Sequence, residues 1–153
     1  HFPSKTDLGV RLVERYRERF SAALATIEVQ PGTAFDRLNA YEGVYGGVLA
    51  ADRLCLCGIM ASEYETLAEP IKAELVRFFR LNEDWLGAQL EAGRAARELN
   101  FEGAPNAVAV AIIGALEGAM LVARVRGGLE GFRTSAGLIV SSLCRAPRQD
   151  SNR

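Results

Sequence analysis

Leu8, Leu12, Tyr16, Phe20, Leu24 and Ile27 recur at helical spacing along one unbroken stretch, with Arg11, Arg15, Glu18 and Arg19 on the other side. An apolar stripe with that period can be buried only if the segment is an α-helix laid against other elements. Pro3-Ser4-Lys5-Thr6-Asp7 opens the helix: Ser4 suits the N-cap, and Asp7 can reach back in a capping box while meeting the positive helix end. Gln30-Pro31-Gly32 closes it. At roughly 25 residues it is long for a globular helix.

The same period governs the rest of the chain. A second helix is expected over about residues 33–52, with Phe35, Leu38, Tyr41, Val44, Tyr45, Val48 and Leu49 as its apolar positions. Gly43, Gly46 and Gly47 interrupt it, each at a cost of about 1 kcal/mol against alanine. Such glycines call for close helix approach, a bend or space for a ligand. A short helix over about 54–64 carries Cys55, Cys57 and Met60, and Glu69-Pro70 starts a long one to about Glu98. Pro105 opens the next helix, Gly127-Gly128 stops it near Arg126, and a last helix ends before Pro147. No stretch alternates with period two between hairpin turns, so the reading is all-α with no strands. The tail 148–153 is polar and expected to fray.

The chain has 153 residues, enough to close one core, with 49% hydrophobic and 24% charged residues, which argues against disorder. Eighteen basic residues face 19 acidic ones for a net charge of -1, so this domain has no electrostatic footprint for gripping nucleic acid by itself. Three cysteines do not make a disulfide framework and fit a reducing cytosol. No signal peptide opens the chain, and the apolar run 107–123 is interrupted by Glu117, so the expected setting is cytoplasmic, without a membrane partner. A phosphate loop, a Ser/His/Asp set with a spare histidine and a His-Glu metal motif are all missing. The expectation is a non-enzyme without metal or cofactor.

The two closing helices point to association. Ala107, Ala111, Ala115, Gly118, Ala119 and Ala123 line one with small residues, while Ile112, Leu116, Leu121 and Val122 add apolar area elsewhere around it. A helix apolar nearly all round must be buried on most faces. A two-fold four-helix interface achieves this; a central core helix in a monomer is the other solution. The expected dimer surface is Ala111, Ala115, Gly118 and Val122 with Phe132, Ala136, Ile139, Val140 and Leu143.

His1-Phe2-Pro3-Ser4-Lys5-Thr6-Asp7-Leu8 resembles the end of the helix-turn-helix signature of TetR-family transcriptional regulators. There a Tyr-x-His-Phe run ends the recognition helix and Pro-Ser-Lys-x-x-Leu opens the next one. Thr6 stands where an acidic residue is more usual. The helix order behind the motif also fits that family: a long connecting helix, middle helices around a cavity, and two helices closing a dimer bundle. The resemblance implies that residues 1–8 end a DNA-binding module otherwise lying upstream, and that 9–147 form the ligand-binding and dimerisation domain. It places His1 and Lys5 near DNA phosphates, a cation beside a helix start being a compact anion site. It further implies a homodimeric repressor released from operator DNA by a small, largely hydrophobic effector.

As a pocket lining, the resemblance selects Tyr41, Tyr45, Cys55, Cys57, Met60, Phe78, Phe79, Trp85, Glu117 and Met120. All but Glu117 are apolar, aromatic or polarizable. Glu117 could receive a polar ligand group, or pair with Arg124 or with an arginine of the twin subunit. Cys55 and Cys57 allow a redox- or electrophile-sensing alternative. Side chains two residues apart on a helix point about 200° apart, however, and buried inert thiols are the simpler reading. A helical carrier or interaction module with no DNA role is the remaining alternative.

Overall fold

The Ser4 hydroxyl accepts a hydrogen bond from the Asp7 N–H at 3.0 Å and donates one to the Asp7 carboxylate at 2.6 Å, which starts α1 (Lys5–Glu28). In this computed structural model, residues 2–143 are described, with side chains to 142. His1, Cys144, the side chain of Leu143, the end of the last helix near Pro147 and the tail 148–153 lie outside the described residues. α2 (Ala34–Ala50), α3 (Leu56–Ser62), α4 (Glu69–Ala95), α5 (Pro105–Val125) and α6 (Gly128–Leu143) come next in chain order, and no strand occurs among the described residues. The fold is all-α.

Local chemistry explains most boundaries. α2 begins with a full capping box: Thr33 Oγ1 accepts from the Asp36 N–H, and the Asp36 carboxylate accepts from the Thr33 N–H at 2.8 Å. The Glu98 carboxylate accepts from the Ala34 N–H at 2.6 Å, tying the start of α2 to the chain beyond α4. Pro70 and Pro105 sit in the first turns of α4 and α5, where a missing N–H costs nothing. Gly127 and Gly128 take φ of +92° and +55°, the left-handed backbone that turns α5 into α6.

α2 lies centrally, touching α1, α4, α5 and α6, and α5 packs between α4 and α6. Phe20 of α1 meets Phe78 of α4 at 5.2 Å and Tyr45 of α2 at 5.6 Å between ring centroids, both edge-to-face. Tyr41 stacks on Trp85 at 5.7 Å. Inside this aromatic centre the Tyr41 hydroxyl donates to Asn82 Oδ1 at 2.8 Å, and Asn82 Nδ2 donates to the Phe78 carbonyl at 2.9 Å. Buried Glu74 of α4 holds α1 through Arg17, 3.5 Å away, and also pairs with Arg77.

Two expectations about burial change. The stripe on α1 does not face the core throughout, since Leu8 and Leu12 are exposed and Val13, Phe20, Leu24 and Ile27 are buried. Steps of four residues advance about 400° on a helix with 3.6 residues per turn, so such a line winds around it. On α6, Phe132, Ala136 and Val140 are at most 1% exposed and leave no surface for a partner. They point inward because α6 packs on α2, where the Phe132 ring lies beside Gly46. Ile139 is half-buried.

Candidate ligand cleft

The chain that folds α1 beside α2 leaves a cleft of about 790 Å³ between α1, α2 and α3. Leu12, Arg15, Tyr16, Arg19 and Phe20, one face of α1 at steps of three and four, form the first wall. Val44, Gly47, Val48 and Ala51 of α2 form the second. Arg53 and Leu54 of the connection, Leu56 and Ile59 of α3, and Arg124 near the end of α5 complete it. At Gly47 the wall borders open space: a Cβ built there meets nothing within 4 Å.

None of the ten pocket residues expected from sequence lines this cleft. Tyr41, Tyr45 and Phe78 are at most 1% exposed and, with Trp85, make up the packed aromatic centre. Phe79 lines a shallow outer depression with Tyr64 and Arg80, while Cys57 is buried and Met60 half-buried against the core. Cys55, Glu117 and Met120 do come together, around a void of about 40 Å³ bordered by Leu54 and Ile59, two residues shared with the cleft. The sequence reading missed the α1 wall because Tyr16 and Phe20 belong to an apolar stripe whose default destination is a core. The pattern signal available was the pair Arg15 and Arg19, one turn apart beside that stripe.

The charges around the cleft are one-sided. Among the described residues no acidic side chain lines it, and four arginines do. Arg124 pairs with Asp52, while Arg15, Arg19 and Arg53 make no ion pair among the described residues. Burial raises the Tyr16 phenol above its ordinary value, and its hydroxyl has no hydrogen-bond partner among the described residues. Lys5 is exposed on the first turn of α1.

Glu117 does not pair with Arg124, which Asp52 holds instead. Its carboxylate lies against Gly58, at a place where a side chain on that residue would collide with it, and one oxygen has no hydrogen-bond partner. Burial raises its pKa above the ordinary glutamate value. A carboxyl raised in the folded state stabilises the fold below its unfolded pKa, and that contribution is lost as pH rises through the folded value. Glu117→Gln should therefore match the parent in urea unfolding at acid pH and exceed it at neutral pH. A midpoint difference independent of pH would contradict this. Cys55 precedes α3 as its cap, and burial, followed by the nearby Glu117 charge, pushes its thiol up to about 12. Burial raises Cys57 as well. Both thiols are free and buried, the opposite of a reactive setting.

No family model matches the chain, and no curated protein does. Solved structures do. A transcriptional regulator of the TetR family from Agrobacterium tumefaciens is 34% identical, with a TM-score of 0.89 over 94% of this chain and 77% of that one. A TetR transcriptional regulator from Legionella pneumophila is 25% identical, with a TM-score of 0.81 over 94% of this chain and 76% of that one. E. coli NemR in its reduced form shares the fold at 24% identity and a TM-score of 0.81, over 96% of this chain and 77% of that one. With the helix order, the α1 start motif and this similarity in agreement, the chain belongs to the TetR family of transcriptional regulators.

Proposed function

We propose that this chain is the effector-binding and dimerising part of a ligand-responsive repressor, with a DNA-reading module preceding α1. The observation that carries the reading is the position of α1. One helix begins at the Pro3-Ser4-Lys5 boundary and, about three turns on, supplies Arg15, Tyr16, Arg19 and Phe20 to the cleft wall. A ligand that wedges α1 away from α2 would tilt the end bearing Lys5, and with it whatever is attached there. Ligand binding shifts DNA affinity only if the ligand binds the two α1 positions with different affinity. In this reading residues 1–8 join the two modules, His1 and Lys5 approach phosphates, and 9–147 sense the effector, with the protein in the cytoplasm.

Association with a second copy is supported by the outer face of α5. Val110, Ala111, Gly114, Gly118, Leu121, Val122 and Val125 lie on one side of the helix and are exposed. α5 is long and apolar enough to cross a membrane by length and composition. Its other face, with Ile112, Leu116 and Met120, is nevertheless buried within the domain. Small residues beside exposed valines suit close helix packing in a two-fold bundle. The groove between α5 and α6, with Thr134 and Ser135 on its α6 side, offers the second helix of the contact.

The test uses the protein carrying its DNA-reading module. It should bind a DNA fragment from its own regulatory region as a dimer, and a compound occupying the cleft should weaken that binding at least tenfold. Release by compounds that bind equally well after the cleft is filled by Gly47→Trp would refute the assignment of the cleft.

A further inference from the structure

We infer that the cleft between α1, α2 and α3 takes an amphiphilic anion: an apolar body bearing one terminal oxyanion, either a carboxylate or a phosphate monoester. The inference rests on the proposed effector role of the same cleft and adds the chemical class. Its floor is apolar, built from Phe20, Val44, Val48 and Leu56 among others, so the body of the ligand is hydrocarbon or aromatic. Its volume of about 790 Å³ suits a drug-sized molecule.

The head group is set by charge. Arg15 and Arg19 stand one turn apart on α1, Arg53 faces them from the connection after α2, and none of the three has a carboxylate partner among the described residues. Arg17 and Arg77 are held by Glu74, Arg11 by Glu14 and the fourth cleft arginine, Arg124, by Asp52, whereas Arg80, Arg126 and Arg133 also make no ion pair among the described residues; what sets Arg15, Arg19 and Arg53 apart is that they line one apolar cleft together. A guanidinium is a planar fork matched to carboxylate and phosphate oxygens, and it binds them more strongly than it binds neutral groups. A cationic ligand would meet repulsion from these arginines, with no acid lining the cleft to offset it. A neutral ligand would leave them unused.

Isothermal titration of the chain separates the possibilities with four ten-carbon probes, each kept monomeric: decanoate, decyl phosphate, decanol and decyltrimethylammonium. Decanoate, decyl phosphate or both should bind about tenfold or more tightly than decanol, with affinity falling as salt rises, and the ammonium should bind weakest. The ratio of the two anions tells which oxyanion the arginines prefer. Arg15→Gln with Arg19→Gln should bring decanoate and decyl phosphate down to the affinity of decanol and remove the salt dependence. Both positions are exposed, so folding is not at risk. Gly47→Trp, placed where a side chain has open space, should block all four probes with the helical circular dichroism retained.

Affinity for decanol equal to that for both anions, a preference for the ammonium, or no binding at all would each overturn the inference. These outcomes remain distinct from failure of the repressor reading. Release of DNA by some other cleft ligand would keep that reading while this one falls. Anion binding with no change in DNA affinity would do the reverse.

Discussion

Phe78→Ala should lower the unfolding free energy by about 3–5 kcal/mol, the range for deleting a buried phenyl ring. Whole domains of this kind are stable by about 5–15 kcal/mol, so the variant should approach the edge of folding. The effect belongs at the upper end because Phe78 has 0% exposure and its ring meets Tyr16, Phe20 and Phe79 at 5.6, 5.2 and 5.3 Å between centroids. Helices α1 and α4 lean on each other through these rings. Removing the ring opens a cavity that helices pinned by the Arg17–Glu74 pair cannot easily collapse. Thermal melting followed by circular dichroism should show a midpoint lower by about 6–20 °C, at about 2–4 °C per kcal/mol for a chain of this size. A drop of less than about 2 °C would mean that the aromatic centre is not the principal contact between α1 and α4.

Val122→Glu should convert the proposed dimer to monomer without unfolding it. Val122 is 65% exposed on the outer face of α5, so the monomer loses no packing. In a two-fold interface one substitution acts twice, placing two carboxylates in an apolar contact where like charges cost several kcal/mol. The dissociation constant should rise about a hundredfold or more, read by sedimentation equilibrium. Val29→Glu is the control, since Val29 is 83% exposed at the end of α1, away from that face. Dimers persisting in Val122→Glu with unchanged affinity, or a parent protein monomeric at tens of micromolar, would remove α5 from the interface.

How much of this was legible without coordinates differs by level. The helices were, because Pro70, Pro105, Gly127-Gly128 and the Ser4 cap act within a few residues of themselves. The family was, through eight residues at the start of α1 and the helix order behind them. The capping box at Thr33 and Asp36 was readable in principle from the same local rules, although the box was expected at Ser4 instead. The cleft was not. Tyr41, Tyr45, Phe78 and Trp85 have the composition of a pocket lining, yet they pack on one another and close the space. Composition states what a side chain tolerates around it, whereas a cavity depends on how far apart two helix axes run.

The apolar stripe from Leu8 to Ile27 illustrates the division. By itself the sequence determined that this segment is one long helix, where it starts, and that an apolar line runs along it, because period and capping are local properties. Only the tertiary structure decided what that line does. Leu8 stays exposed, Val13 and Leu24 enter the core, and Leu12, Tyr16 and Phe20 line a cleft beside Arg15 and Arg19. Likewise Phe132, Ala136 and Val140 are apolar at helical spacing, and only the packing of α6 on α2 turned them inward, while Val110, Leu121 and Val122 of α5 stayed exposed. The physical reason is the same in both cases. Burial is shared between elements distant in sequence, and the angle at which two helices meet is set by all the side chains between them.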